Sequence, residues 1–135
     1  VAVLGLAFKQ DTNDIRNSGA IAIIQQLLGC GVRSIRVYDP AAMDSCKWYF
    51  EKNPFKDKII YAESDSEALK GTSAVLICTD WPQFKVLGDV IPQTVKPPYL
   101  IMDGRRIIQG RYEELSEKGF DIIAVGSPFI KNGKN

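Results

Sequence analysis

Two stretches of the sequence gather the side chains best suited to holding an anion. Lys9 and Arg16 stand in the run Gly5-Leu6-Ala7-Phe8-Lys9-Gln10-Asp11-Thr12-Asn13-Asp14-Ile15-Arg16-Asn17-Ser18. Arg105 and Arg106 follow Asp103-Gly104. A lysine ammonium is a compact charge on a flexible stem, suited to a phosphate or a sugar hydroxyl. An arginine fork can engage a phosphate or a carboxylate through two parallel bonds. The same residues have a plainer use, in which Lys9 is solvated, Arg16 pairs with Asp11 or Asp14, and the two arginines decorate a turn that Gly104 makes possible. A third stretch, Thr79-Asp80-Trp81-Pro82-Gln83-Phe84, predicts a helix that Pro82 begins, capped by Thr79 or Asp80. Trp81 and Phe84 read as packing or interdomain residues ahead of any base-stacking role.

Other chemistries are excluded by what the chain lacks. It has 135 residues and no histidine, so it can contain neither a Ser-His-Asp triad nor a Cys-His pair nor a His-containing zinc site. No metal site is expected. The three cysteines, Cys30, Cys46 and Cys78, form no Cys-x-x-Cys pair, and their odd number points to a reduced, cytoplasmic setting. Seventeen Lys and Arg balance sixteen Asp and Glu for a net charge of +1, which gives no polyanion-binding surface and predicts no nucleic-acid partner. No apolar run approaches the roughly 18 residues of a membrane span, so no membrane partner is expected. The sequence starts in mid-strand with Val1-Ala2-Val3-Leu4, which reads as part of a longer protein.

The elements that would position these residues follow from periodicity. Continuous apolar runs predict strands over Val1–Phe8, Ser34–Tyr38, Lys58–Tyr61, Ala74–Cys78, Tyr99–Met102 and Asp121–Val125. Helical patterns predict Ser18–Leu28, Ala41–Lys52, Ser64–Lys70, Pro82–Val90 and Arg111–Lys118. Asp39-Pro40 is expected to end the second strand and open a helix. Strict alternation of strand and helix predicts a Rossmann-like α/β fold: an open, doubly wound parallel sheet of about six strands with helices on both faces. Residues 1–130 make the domain and 131–135 a polar, frayed tail. Such sheets bind ligands beyond the C-terminal ends of their strands, so Lys9, Arg16 and Arg105 should share one rim. A dinucleotide fingerprint is not present there. After Gly5, the second and third glycines of G-x-G-x-x-G are replaced by Ala7 and Gln10. Asp39, where a ribose-binding acid would stand, is therefore expected to cap the next helix.

The run from Leu4 to Ser18 resembles the start of the C-terminal domain of the UDP-glucose/GDP-mannose dehydrogenase family, whose pattern is roughly G-L-A-F-K-x-x-T-x-D-x-R-x-S. Gly5, Leu6, Ala7, Phe8, Lys9, Thr12, Asp14, Arg16 and Ser18 match it. Val37-Tyr38-Asp39-Pro40, Thr79-Asp80-Trp81 with Phe84, and Asp103-Gly104-Arg105-Arg106 follow in the family's order. The resemblance extends from Val1 to about Gly126. The last two elements look most like the UDP-glucose branch, while the GDP-mannose and UDP-N-acetylmannosamine branches share the first.

The resemblance implies an NAD-dependent oxidoreductase that turns the primary alcohol of UDP-glucose or a related nucleotide sugar into a carboxylate, in the UDP-glucose branch UDP-glucuronate. The family uses two NAD molecules and two hydride transfers, through a thiohemiacetal and a thioester on a cysteine. It implies that Phe8, Lys9 and Arg105 contact the nucleotide sugar and that Arg16 reaches NAD held mainly by a preceding N-terminal domain. That domain, a central helix and a homo-oligomer are the implied partners. The family's nucleophile lies in a G-x-G-G-x-C context that none of the three cysteines shares, so no catalytic residue is assigned and this chain alone is expected to be inactive. The remaining alternatives are the same role for another nucleotide sugar, a free-standing nucleotide-binding module, and a structural domain.

Overall fold

A computed structural model describes residues 1–126 and 128–131. Six strands, β1 (Ala2–Leu4), β2 (Ile35–Tyr38), β3 (Ile59–Tyr61), β4 (Ala74–Ile77), β5 (Leu100–Asp103) and β6 (Asp121–Ala124), pair in the order β3-β2-β1-β4-β5-β6. Every pair is parallel. Five helices connect them: α1 (Gly19–Gly29), α2 (Met43–Tyr49), α3 (Asp65–Leu69), α4 (Leu87–Thr94) and α5 (Tyr112–Glu117). The expected Rossmann-like architecture is therefore present, and its strand order reverses direction between β1 and β4.

Right-handed crossovers dictate where the helices go. Moving from β1 out to β3 places α1 and α2 on one face. The return through β4, β5 and β6 places α3, α4 and α5 on the other. The Tyr112 hydroxyl of α5 donates to Asp103 at 2.7 Å, which marks the second face. Central β1 is buried at all three residues, as a strand covered on both faces must be. In α1 a stripe of Ala20, Ile21, Ile24 and Leu28 is buried at helical spacing. Ser18 caps its start by accepting from the Ile21 N–H at 3.4 Å.

Several boundaries differ from expectation. The first strand stops at Leu4 because Gly5 turns the chain with φ +94°. A Cβ at Gly5 would lie 2.6 Å from the Thr79 backbone nitrogen, so no other residue fits that turn without displacement. Pro40 does not open a helix: α2 begins at Met43, after a turn held by Asp39. That helix also ends early, at Tyr49, ahead of Asn53-Pro54, where the proline disfavours helical geometry in its predecessor. Neither Thr79 nor Asp80 caps the next helix. Pro82 starts a 3-10 turn over Pro82–Val86 whose cap position is Trp81, without a side-chain bond. Helix α4 then continues past Val90 to Thr94 with Pro92 inside it, the Thr94 hydroxyl donating to the Val90 carbonyl at 2.8 Å. Beyond β6, Ile130 pairs with Ile122 in an antiparallel bridge. Of the expected polar tail, Lys131 is exposed and residues 132–135 lie outside the described residues.

Candidate functional site

The rim above the C-terminal ends of β1 and β4 is the point where the strand order reverses, and the site is built from the loops that leave it. The loop after β1 runs from Gly5 to Ser18 and is fixed from several sides. The Leu6 and Ala7 N–H groups donate to Asp39 Oδ2 at 2.7 and 3.1 Å. The Ser18 hydroxyl donates to the Leu6 carbonyl at 2.7 Å, and the Thr79 hydroxyl to the Ala7 carbonyl at 2.9 Å. The Phe8 N–H closes the loop on itself by donating to the Asp14 carbonyl at 2.6 Å.

Asp39 is the hub of this arrangement. It is buried, with 1% of its surface exposed. Oδ1 accepts from the Ala41 and Ala42 N–H groups at 2.7 and 2.8 Å, so Asp39 holds the turn before α2 and does not cap the helix as expected; the cap position is Ala42, without a side-chain bond. Oδ2 accepts from Leu6, from Ala7 and from the Trp81 indole at 3.0 Å. One carboxylate thus ties together the ends of β1, β2 and β4. Five donors on two oxygens also explain how a charge can be buried here at all. Trp81 and Phe84 are buried, in keeping with a packing role. The cross-loop function of Asp39 was not visible in the sequence, since its partners Leu6, Ala7 and Trp81 lie 33, 32 and 42 residues away.

Arg105 reaches across this rim to the backbone that precedes Lys9. The N–H of Arg105 Nε donates to the Cys78 carbonyl at 3.1 Å, and Nη2 donates to the Phe8 carbonyl at 3.3 Å. Arg105 therefore spans from the end of β5, across the end of β4, to the residue next to Lys9. The turn that presents it is organised by Asp103, which is buried and accepts from the Arg105, Ile107 and Ile108 N–H groups and from the Tyr112 hydroxyl. Gly104 permits this turn to approach β4: its N–H donates to the Ile77 carbonyl at 2.9 Å, and a Cβ would come within 3.0 Å of the same oxygen. Arg106 turns away with φ +56°, donating to the Val125 carbonyl at 2.7 Å and to Gln109 Oε1 at 3.1 Å. Phe8 is 47% exposed, and Lys9 is exposed with no hydrogen bond or ion pair to any described residue.

Arg16 lies on the same loop but is used differently. It grips Asp14 with Nε and Nη2 at distances from 2.8 to 3.1 Å, the pairing that the plainer reading of the sequence anticipated. Hydrogen bonds from Arg16 pull the Asp14 carboxyl down to about 2. The arginine side chain is 86% exposed and edges a cleft of about 750 Å³ between the β1–α1 loop, α1 and α2, walled by Trp48 and Tyr49. Its remaining nitrogen, Nη1, makes no hydrogen bond to a described residue.

The thiols nearest the rim are held protonated at neutral pH. Burial pushes Cys78 up to about 12, against the lowering effect of Arg105. Burial likewise lifts Cys46 to about 11. Both are poor nucleophiles in this state. Cys30 is exposed at the C-terminal end of α1, on the opposite edge of the sheet from the rim. Among the described residues no group of His, Cys, Asp and Glu is arranged to hold a metal ion, and no helix is long and apolar enough to cross a membrane.

A parallel sheet with an arginine reaching across its switch point, and with its own carboxylate on the β1-turn N–H groups, is a Rossmann-like α/β domain without a free dinucleotide cradle. The chain belongs to the UDP-glucose/GDP-mannose dehydrogenase family, whose UDP binding domain matches residues 2–110. UDP-glucose 6-dehydrogenase of Bos taurus is 35% identical over 134 residues, covering 93% of this chain and 27% of that protein. UDP-glucose 6-dehydrogenase AglM of Haloferax volcanii is 42% identical over 119 residues, covering 85% of this chain and 26% of its own length. The chain therefore spans about a quarter of the length of these relatives. Among solved structures, a UDP-glucose dehydrogenase from the hyperthermophilic archaeon Pyrobaculum islandicum superposes with a TM-score of 0.64 at 30% identity, over 82% of this chain and 22% of that one. The UDP-D-ManNAc dehydrogenase of Pyrococcus horikoshii gives 0.64 at 28% identity, over 99% and 26%.

Proposed function

We propose that this chain is the nucleotide-sugar-binding domain of an NAD-dependent UDP-glucose 6-dehydrogenase, which oxidises UDP-glucose to UDP-glucuronate. The observation that carries this reading is the reach of Arg105 from the β5 end to the Phe8 carbonyl, which brings its guanidinium to the backbone next to Lys9. Membership of the family, on the part of it described as UDP binding, supplies the ligand class.

In this reading Lys9 neutralises the diphosphate, Arg105 holds the sugar end, and the exposed ring of Phe8 packs against the nucleotide sugar. The N–H and carbonyl groups of Leu6, Ala7 and Phe8 already have partners within the chain, so the stretch that leads to Lys9 is held in place before binding. Such preorganisation lowers the cost of fixing the substrate in one orientation.

NAD, when bound, accepts the hydride. The fit of this chain to NAD is partial. The N–H groups of Leu6 and Ala7, which would face a pyrophosphate in a dinucleotide turn, are taken by Asp39. Arg16 keeps one free nitrogen at the mouth of a cleft and can reach a dinucleotide that another domain holds. The raised thiols of Cys46 and Cys78 leave the nucleophile to another part of the enzyme. A homo-oligomer in the cytoplasm completes the proposal; the described cysteines are all unpaired, which suits a reduced compartment.

Calorimetric titration of the 135-residue chain with UDP, GDP and NAD tests the assignment. Binding of UDP in preference to GDP and NAD is the expected result, together with no turnover of UDP-glucose and NAD. Preference for GDP moves the chain to the GDP-mannose branch. Turnover by the chain alone overturns the division of labour.

A further inference from the structure

Three hydrogen bonds and two stretches of backbone close a ring across the rim. Arg105 Nη2 donates to the Phe8 carbonyl at 3.3 Å, and Nε donates to the Cys78 carbonyl at 3.1 Å. Thr79 follows Cys78, and its hydroxyl donates to the Ala7 carbonyl at 2.9 Å. Ala7 leads straight back to Phe8. The ring joins the loop after β1, the end of β4 and the turn after β5. Two of its members, Phe8 and Arg105, are proposed contacts of the nucleotide sugar, and the third such residue, Lys9, follows Phe8.

Thr79 is the buried corner of the ring. It is 0% exposed and Ala7 2%, while Arg105 is exposed, so the bond best shielded from water is the one from the hydroxyl. Thr79 is also wedged against the turn that begins the loop: a Cβ on Gly5 would lie 2.7 Å from Thr79 Oγ1. Its hydroxyl is not spent locally. Those of Thr72 and Thr94 stay within their own segments, on the Leu69 carbonyl at 2.6 Å and the Val90 carbonyl at 2.8 Å. Thr79 stands where a cap for the next helix was expected, yet its partner is 72 residues away in the loop that carries Phe8 and Lys9.

We propose that Thr79 is a positioning residue for nucleotide-sugar binding: its hydroxyl holds the Ala7 carbonyl and so sets where Phe8 and Lys9 stand relative to Arg105. This rests on the reading that those three side chains take the nucleotide sugar. Without the hydroxyl, the buried Ala7 carbonyl has to turn toward another donor or water. The Ala7–Phe8 peptide turns with it. That loosens the Phe8 N–H from the Asp14 carbonyl and the Phe8 carbonyl from Arg105. A ligand held by both loops must then realign them as it binds, which lowers its affinity.

Thr79→Val, close in shape but without the donor, tests this by UDP titration and thermal melts of the 135-residue chain. Thr94→Val is the matched loss of a hydroxyl in α4, away from the rim. Thr79→Val should weaken UDP binding about fivefold or more, the scale of one hydrogen bond's net contribution. Thr79→Ser keeps the hydroxyl and should stay within about twofold of the parent. Thr94→Val should lower the thermal midpoint and leave UDP affinity unchanged. In the full-length dehydrogenase, Thr79→Val should raise KM for UDP-glucose by a larger factor than it lowers kcat. A lowered midpoint with unchanged UDP affinity in Thr79→Val makes the threonine merely structural and overturns the proposal. So does a Thr79→Ser variant that binds no better than Thr79→Val, or a Thr94→Val variant that loses UDP affinity to the same extent. Thr79→Ala takes the place of Thr79→Val if circular dichroism shows the latter unfolded. Equal UDP binding by the parent and Thr79→Val removes only the positioning role, while absence of UDP binding by the parent removes the proposed function and this role with it.

Discussion

Lys9 and Arg105 are not equivalent cations. Arg105 already spends two nitrogens on the Cys78 and Phe8 carbonyls, so it is a strut as well as a charge. Lys9 has no partner among the described residues, which leaves its ammonium open to a ligand. A charge-assisted hydrogen bond contributes about 1.5–3 kcal/mol. Lys9→Ala should therefore weaken UDP binding by roughly 10- to 150-fold with no change in thermal midpoint. Arg105→Ala should weaken it similarly and also lower the midpoint, since the Phe8 and Cys78 carbonyls lose their partner. Arg16→Ala should leave UDP affinity unchanged. Calorimetry and thermal melts on the three variants check this, and unaltered affinity in both Lys9→Ala and Arg105→Ala would mean that the rim cations are merely solvated. The candidate residues were nameable from the sequence, because long cations after strand ends are few. What each one touches was not. The grip of Arg16 on Asp14, and the division of Arg105 and Arg106 between inward and outward roles, depend on backbone angles such as the φ of +56° at Arg106.

Strands and helices were legible wherever the chain repeats a period. Six strand runs and five helices all exist, because buried parallel strands need continuous apolar residues and α1 needs one apolar stripe. Boundaries were less legible, since they are set by contacts from elsewhere in the chain. Gly5 ends β1 against Thr79, and Asp39 displaces the start of α2 by holding Ala41 and Ala42. Asp39 also fastens the β1 loop and Trp81, so its loss should be felt by three elements together. Asp39→Ala leaves buried N–H donors without acceptors, each costing about 1–3 kcal/mol. The expected outcome is a loss of about 3 kcal/mol or more in urea-unfolding stability, with faster amide exchange at Leu6 and Ala7. A variant within about 1 kcal/mol of the parent would show that water replaces the carboxylate.

At the scale of the molecule, several buried acids share one direction of shift. Burial raises Cys78 from 9.0 to about 12, Cys46 from 9.0 to about 11, and Tyr99 from 10.0 to about 12 against a hydrogen bond from Thr72 that opposes it. Their folded forms hold protons that the unfolded chain releases earlier. The stability they contribute is complete below pH 9, the ordinary value of the thiols, and is lost as pH rises toward 12. Urea midpoints measured from pH 7 upward should be level with respect to these groups and then fall above pH 9, and Cys78→Ala should flatten part of that fall. A midpoint indifferent to pH 11 would contradict the burial of these groups. The Asp39 carboxylate has a further consequence for the domain as a whole. By filling the turn where kindred domains admit a coenzyme's phosphates, it acts as a permanent internal tenant. A phosphate entering here would have to evict that tenant before it could reach the Leu6 and Ala7 N–H groups.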